Sequence, residues 1–161
     1  EDGIRDLVRS RGLGDVYKRQ INKESIDPRV TYITKDILRE ALMKGTNRRK
    51  VQVLNRNDIA GKTGTTNDAI STWFSGFHNN LVTTVWVGTD DFSSLGDMEF
   101  GSTIALPTWV DFMQTASTNF PEEDWKMPEG LSYIRVDRET GRPVDETSQN
   151  SYFELSLDED I

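Results

Sequence analysis

One lysine stands between two glycines in the stretch Ile59-Ala60-Gly61-Lys62-Thr63-Gly64-Thr65-Thr66-Asn67. Glycines without a Cβ let the backbone come close to a bound molecule. Lys62 brings a compact positive charge into an acidic chain. Two chemistries use such a stretch. One is a loop that cradles phosphate. The other is the K-T-G strand of enzymes that acylate an active-site serine.

The phosphate reading requires G-x-x-x-x-G-K-[ST], and counting back from Gly61 places Arg56 where the first glycine belongs. It also requires a helix directly after the loop, so that the helix N-terminus holds the anion. Residues 67–71 instead lead into Thr72-Trp73-Phe74-Ser75-Gly76-Phe77-His78, an aromatic run with strand character. A P-loop-like nucleotide-binding module therefore stands as the alternative, kept open by Asp90-Asp91 after an apolar strand, and it turns on whether 67–78 is helix or strand.

The elements around the lysine follow from periodicity. Ile37, Leu38, Ala41 and Leu42 have helical spacing, with Thr34 as a candidate N-cap and Gly45 at the end, so 35–44 is predicted helical. Asn47-Arg48-Arg49-Lys50 reads as a basic surface turn. Residues 58–66, 72–78 and 81–88 read as strands. Asn79-Asn80 suits a hairpin turn, and the short connections leave no room for crossover helices, so the three should form an antiparallel meander. Residues 89–101 read as a loop. Leu106, Trp109, Val110, Met113 and Ala116 predict a second long helix with Pro107 in its first turn. Residues 131–137 alternate as a strand does, Glu139-Thr140-Gly141 turns, and Arg142-Pro143-Val144 is the expected return strand. The acidic residues beyond Asp145 are expected to be mobile.

Composition sets outer limits. The chain has 161 residues, a formal net charge of −8 and a pI near 4.7, which argues against nucleic acid as a partner. It has no cysteine, so disulfides and thiolate metal sites are excluded. No apolar run approaches the roughly 20 residues of a membrane span. Residues 1–20 differ from the rest, with Gly3, Gly12 and Gly14 interrupting any helix, and Gly14-Asp15-Val16-Tyr17-Lys18-Arg19-Gln20 resembles an adapter-derived leader. The expected division is a leader over 1–20, a main unit over 21–127, and a small β extension with an acidic tail over 128–161.

The context of the lysine is more specific than the tripeptide. Gly61-Lys62-Thr63-Gly64-Thr65-Thr66-Asn67 is followed by Trp73-Phe74-Ser75-Gly76-Phe77, Val85-Trp86-Val87-Gly88 and Ala105-Leu106-Pro107-Thr108-Trp109. Gly45-Thr46 precedes it, and Pro128-Glu129-Gly130 and Arg138-Glu139-Thr140-Gly141 follow. From about Ile26 to Val144 the sequence resembles the last part of the transpeptidase domain of class A penicillin-binding proteins. The resemblance implies an α/β (α+β) fold, an antiparallel sheet with flanking helices, as a fragment of a serine β-lactamase/transpeptidase-like domain. It implies a serine enzyme that cross-links peptidoglycan stem peptides at D-Ala-D-Ala, is acylated by β-lactams, and works at the outer face of the inner membrane without cofactor or metal. The remainder of the transpeptidase domain and an upstream glycosyltransferase domain would be its covalent partners.

By that resemblance Lys62 lines the cleft and hydrogen-bonds the serine of an S-x-N motif. Thr63 and Thr65 offer hydroxyls to the substrate carboxylate, Thr65 gives its backbone N–H to the oxyanion, and Gly64 keeps the edge clear for the peptide. The chain departs from the pattern in one respect. None of its serines has a lysine three residues on, and an S-x-N at Ser148-Gln149-Asn150 follows the K-T-G instead of preceding it. The serine nucleophile is thus expected outside this chain. Three side-chain expectations complete the reading: His78 in an exposed turn, Trp73, Phe74, Trp86 and Trp109 in the core, and Asp90-Asp91 and Glu122-Glu123-Asp124 as solvated loops.

Overall fold

The computed structural model describes residues 26–160. The leader expected over 1–20 lies outside the described residues. Helix α1 spans Pro28–Lys44, a short helix α2 spans Arg48–Val51, and helix α3 spans Ala105–Ala116. Strands β1 (Ala60–Thr65), β2 (Ser71–His78) and β3 (Leu81–Gly88) form one antiparallel sheet in the order β1-β2-β3. Strands β4 (Leu131–Asp137) and β5 (Ser151–Leu157) form a second, two-stranded one. This is the mixed helix and antiparallel-sheet architecture expected from the sequence.

The meander forms because its strands carry two different faces. In β2, Thr72, Phe74, Gly76 and His78 are buried while Trp73 and Ser75 are exposed. Helix α3 packs on the buried face. The rings of Phe74 and Trp109 lie 4.9 Å apart, and Leu42, Val51, Ile59, Leu106 and Met113 close the same core. Gly76 admits this packing, because a Cβ there would sit 2.5 Å from Trp109 Cζ2 and 2.7 Å from Phe74 Cε1. The opposite face leaves Trp73, Val82 and Trp86 exposed, with the Trp73 and Trp86 rings 6.1 Å apart. Two of the four aromatics expected in the core thus lie on the open face. Strand alternation decides this, since Trp73 and Trp86 are direct cross-strand partners on the side away from α3.

Helix α1 begins at Pro28, well before the predicted 35. The Asp27-Pro28 pair starts the helix. Asp27 Oδ1 accepts from the Arg29 amide at 2.8 Å, and proline fits the first helical position. Thr34, expected to cap, donates its hydroxyl to the Val30 carbonyl within the helix at 2.8 Å. The basic stretch read as a surface turn is largely α2.

The tail beyond Asp145 is ordered over 151–157, contrary to expectation. Strand β5 pairs with β4 along its length, with Arg135 opposite Phe153 and Tyr133 opposite Leu155. The expected return strand at 142–144 contributes a single bridge, Val136 to Pro143. Side-chain contacts explain the preference for β5. The guanidinium of Arg135 lies 5.2 Å from the Phe153 ring, that of Arg138 lies 5.4 Å from Tyr152, and Leu155 is buried. Arg29 Nη1 bonds Glu159 Oε2 at 3.0 Å and ties this sheet to α1.

Gly76→Ala should destabilise the fold by about 1–3 kcal/mol, since the added methyl must displace two aromatic rings at once. Urea unfolding monitored by tryptophan fluorescence measures this. A change within experimental error would show that the Phe74–Trp109 contact is loose.

Candidate active-site edge

The K-T-G residues occupy β1, an edge strand of the sheet. Its pairing register sets Lys62 opposite Ser75, Thr63 opposite Phe74, Gly64 opposite Trp73 and Thr65 opposite Thr72. Lys62 and Gly64 therefore share the open face with Ser75 and Trp73, whereas Thr63 and Thr65 point to the face of Phe74 and Thr72. Ala60 and Gly61 are buried, while Lys62 and Thr65 are exposed, so the accessible part of the edge is Lys62–Thr65.

The backbone follows the complementary alternation. Thr66 N donates to Ser71 O at 3.0 Å, which makes 66 and 71 a hydrogen-bonded pair. In an antiparallel ladder such pairs alternate with non-bonded ones. Thr65 and Thr63 fall on the non-bonded positions and turn their N–H and C=O groups outward, away from β2. The Lys62 ammonium agrees with this, donating to the outward Thr63 carbonyl at 2.9 Å. The edge thus offers one backbone donor and one acceptor from each of Thr63 and Thr65, with an exposed cation beside them. A bound extended peptide would meet these groups as an added strand. A Cβ at Gly64 would lie 3.2 Å from the Trp73 Cβ, tight packing on the same face as the Lys62 side chain.

What precedes β1 fixes where it starts. Arg56 and Asp58 form a nearly enclosed ion pair, with Arg56 Nε to Asp58 Oδ1 at 2.8 Å and Nη2 to Oδ2 at 2.6 Å. Arg56 also donates to the carbonyls of Ser117 at 3.3 Å, Phe120 at 2.8 Å and Pro121 at 3.1 Å, and the Glu123 amide donates to Asp58 at 3.2 Å. The residue whose type argued against a phosphate loop thus anchors the strand to the segment after α3. Burial pushes the Asp58 carboxyl up, but the Arg56 guanidinium and the Glu123 amide outweigh it and hold the group below its ordinary range.

His78 belongs to the same cluster. It is buried, not in an exposed turn as expected, because alternation along β2 turns it inward with Phe74. Its ring lies 5.4 Å from Phe120, and Nδ1 accepts from the Asn80 amide at 3.2 Å. Burial, and next the nearby Arg56 charge, hold it below its ordinary value, which keeps it neutral. Among the loops expected to be solvated, Asp91 accepts from the Ser93 amide and hydroxyl, and Glu122 accepts from Asn57.

The stretch after Lys62 contains no helix long enough to hold a phosphate. Asn67–Ala69 is a single 3₁₀ turn, and Ser71–His78 is strand. This removes the nucleotide-binding alternative. The Ser148-Gln149-Asn150 tripeptide sits in the turn leading to β5, in the second sheet and not on the K-T-G sheet. Among the described residues there is no group of three or more histidine, aspartate or glutamate side chains placed to hold a metal ion.

Comparison with known proteins gives a consistent answer. The chain is 42% identical over 135 residues to penicillin-binding protein 1A of Pseudomonas aeruginosa, a match covering 84% of this chain and 16% of the relative. It is 45% identical over 108 residues to penicillin-binding protein 1A of Neisseria lactamica, covering 67% and 13%. The chain belongs to the penicillin-binding protein 1A family. The crystal structure of penicillin-binding protein 1A from Haemophilus influenzae superposes with a TM-score of 0.78 at 32% identity, over 87% of this chain and 22% of that one. No family model matches the chain. The chain spans about one sixth of the length of the Pseudomonas relative, and it matches a C-terminal portion of the family's transpeptidase domain.

Residue patterns located the K-T-G stretch but missed two of its supports. The Arg56–Asp58 pair had a visible signal, opposite charges two residues apart before an apolar strand. The contact of Gly101 with Thr65 had none, because it joins residues far apart in sequence.

The buried histidine makes stability depend on pH. Its folded-state value lies below the 6.5 of a free histidine. The unfolded chain therefore binds the proton first, and stability present above pH 6.5 declines as pH falls through the folded value. Asp58, held below its ordinary 3.8, contributes stability that declines only at lower pH still. The thermal midpoint should fall on acidification below pH 6.5, and His78→Gln should flatten that first decline while leaving the later one. An unchanged slope in the variant would assign it to another group.

Proposed function

We propose that Lys62, Thr63, Gly64 and Thr65 form one wall of the active site of a serine-type D-Ala-D-Ala transpeptidase in peptidoglycan synthesis. The observation that carries this reading is the outward pair of backbone groups at Thr63 and Thr65 beside the Lys62 ammonium, on the accessible half of an edge strand. Membership in the penicillin-binding protein 1A family supports it.

In the proposed reaction a serine from outside this chain attacks the carbonyl between two D-alanines of a stem peptide. The peptide lies along β1, bonded to the Thr63 and Thr65 edge groups. Negative charge that develops on the carbonyl oxygen meets the Thr65 N–H, a donor already fixed by the sheet. The terminal carboxylate is drawn to the Lys62 ammonium and to the threonine hydroxyls. Lys62 also hydrogen-bonds the serine of the S-x-N motif and helps move the proton to the leaving amine. D-Alanine departs, and an amine of a neighbouring stem attacks the acyl group and restores the serine. A β-lactam places its own carboxylate and carbonyl in the same positions and acylates the same serine. No step calls on a metal or cofactor.

The partners follow from this chemistry: stem peptides, β-lactams, the rest of the transpeptidase domain, and a glycosyltransferase domain upstream. The site of action is the outer face of the bacterial inner membrane. Among the described residues no helix is long and apolar enough to cross a membrane. The open face bearing Trp73, Val82 and Trp86 fits a segment that packs against further parts of its own domain.

The test is covalent labelling by fluorescent penicillin. The chain alone, lacking S-x-x-K, should take no label. The full-length Pseudomonas relative with residues 26–160 grafted over its matching segment should label, and Lys62→Ala in that protein should slow acylation by about a hundredfold or more. Undiminished labelling of the Lys62→Ala protein would overturn the proposed role.

A further inference from the structure

We infer that Gly101 is a positioning residue for the oxyanion donor of this site, acting through the backbone of Gly64 and the side chain of Thr65. The inference rests on the proposed function and extends it to a residue that touches no substrate. Gly101 is buried, and it lies behind the edge strand. Its N–H donates to Thr65 Oγ1 at 3.0 Å, on the face away from the Lys62 side chain. Its carbonyl accepts from the Leu106 amide at 2.8 Å, in the first turn of α3. The chain of contacts therefore runs from the packed helix, where Leu106 and Trp109 are fully buried, through one peptide to the donor residue on β1.

The absence of a side chain is what brings this peptide so close. A Cβ at Gly101 would sit 2.5 Å from the Trp73 carbonyl oxygen, 2.7 Å from the Gly64 carbonyl oxygen and 3.2 Å from the Gly64 nitrogen. These are the atoms of the hydrogen-bonded pair between β1 and β2 next to Thr65. They are backbone atoms, which cannot rotate away as a flexible side chain would. Even a methyl group must push the Gly64–Trp73 pair outward, and the Thr65 N–H moves with it. The loop is held at further points, with Leu95 N donating to Ala69 O at 2.9 Å and Ser94 Oγ to Asp68 O at 2.7 Å, so it has little freedom to retreat. The Thr65 hydroxyl accepts from Gly101 and keeps its own proton free to donate, so the contact is compatible with a bond from that hydroxyl to a substrate carboxylate.

The consequence is a division of effects. Displacing the oxyanion donor weakens binding of the transition state while leaving the ground-state contacts of Lys62 nearly intact. Gly101→Ala, in the grafted full-length protein, should lower the first-order acylation rate by a fluorescent penicillin by about tenfold to a hundredfold. The dissociation constant of the pre-covalent complex should stay within about threefold of the parent. An acylation rate equal to the parent's, in a protein whose Lys62→Ala variant is slowed by about a hundredfold or more, would overturn the inference and leave the proposed function standing. A loss seen equally in the dissociation constant would also overturn it, as general damage to the site. Should Gly101→Ala fail to fold, amide hydrogen exchange of the parent protein decides. Slow exchange at Gly101, comparable to the α3 core and lost in Thr65→Val but retained in Thr65→Ser, is the expected result. Fast, loop-like exchange at Gly101 would refute the contact.

Discussion

The buried pair of Arg56 and Asp58 is the contact on which the rest of the main sheet depends. An ion pair shielded from water is costly unless its remaining donors and acceptors are matched. Here they are: three carbonyls after α3 accept from Arg56, and the Glu123 amide donates to Asp58. The matching works only if the end of α3 and the start of β1 lie side by side, so the pair specifies one arrangement of the two. Removing either partner would strand the other charge in the interior, at a cost of about 3–5 kcal/mol in comparable cases. From Asp58 onward the chain has a fixed origin. Ile59 enters the core, Ala60 begins the strand, and Lys62 arrives two residues later on the open face.

Strand geometry then divides the labour along β1. Side chains alternate between faces and backbone groups alternate between edges, both with a period of two. Lys62 and Gly64 direct charge and empty space to one face. Thr63 and Thr65 direct backbone donors and acceptors to the edge and their side chains to the other face. Under the proposed function, a carboxylate and a carbonyl of one extended ligand would be recognised by different residues, each held by the same ladder. Gly101 joins this scheme from behind, linking the strand to a helix whose core residues are fully buried.

Much of this was legible in residue order, for a physical reason. The three strands of the main sheet are adjacent in sequence and joined by short connections, so local patterns and pairing agree. Helix α3 declared itself through the spacing of Leu106, Trp109 and Met113. Errors arose where a local signal had two meanings. Asp27-Pro28 is a turn signal or a helix start, and an acceptor reaching the Arg29 amide made it the latter. Tyr152, Phe153 and Leu155 are scattered apolar residues in an acidic tail, and the arginines of β4 and the turn after it give the two aromatics their partners. His78 followed the hairpin rule for its neighbours Asn79 and Asn80, yet strand alternation turned its own ring inward.

Residue types and spacing by themselves determined the chemistry open to this chain: one cation between glycines, hydroxyls after it, and no serine with a lysine three residues on. They also determined the meander, because neighbouring strands need little loop-closure entropy to pair. Tertiary structure alone decided which groups the edge exposes. The outward turn of the Thr63 and Thr65 backbone depends on the register with β2, which a one-residue slip would reverse. The approach of Gly101 to Gly64 depends on a loop returning from β3 to the start of α3. Contacts between such distant residues leave no periodic trace in a single sequence, since they are set by how packed elements meet and not by the preferences of any short stretch.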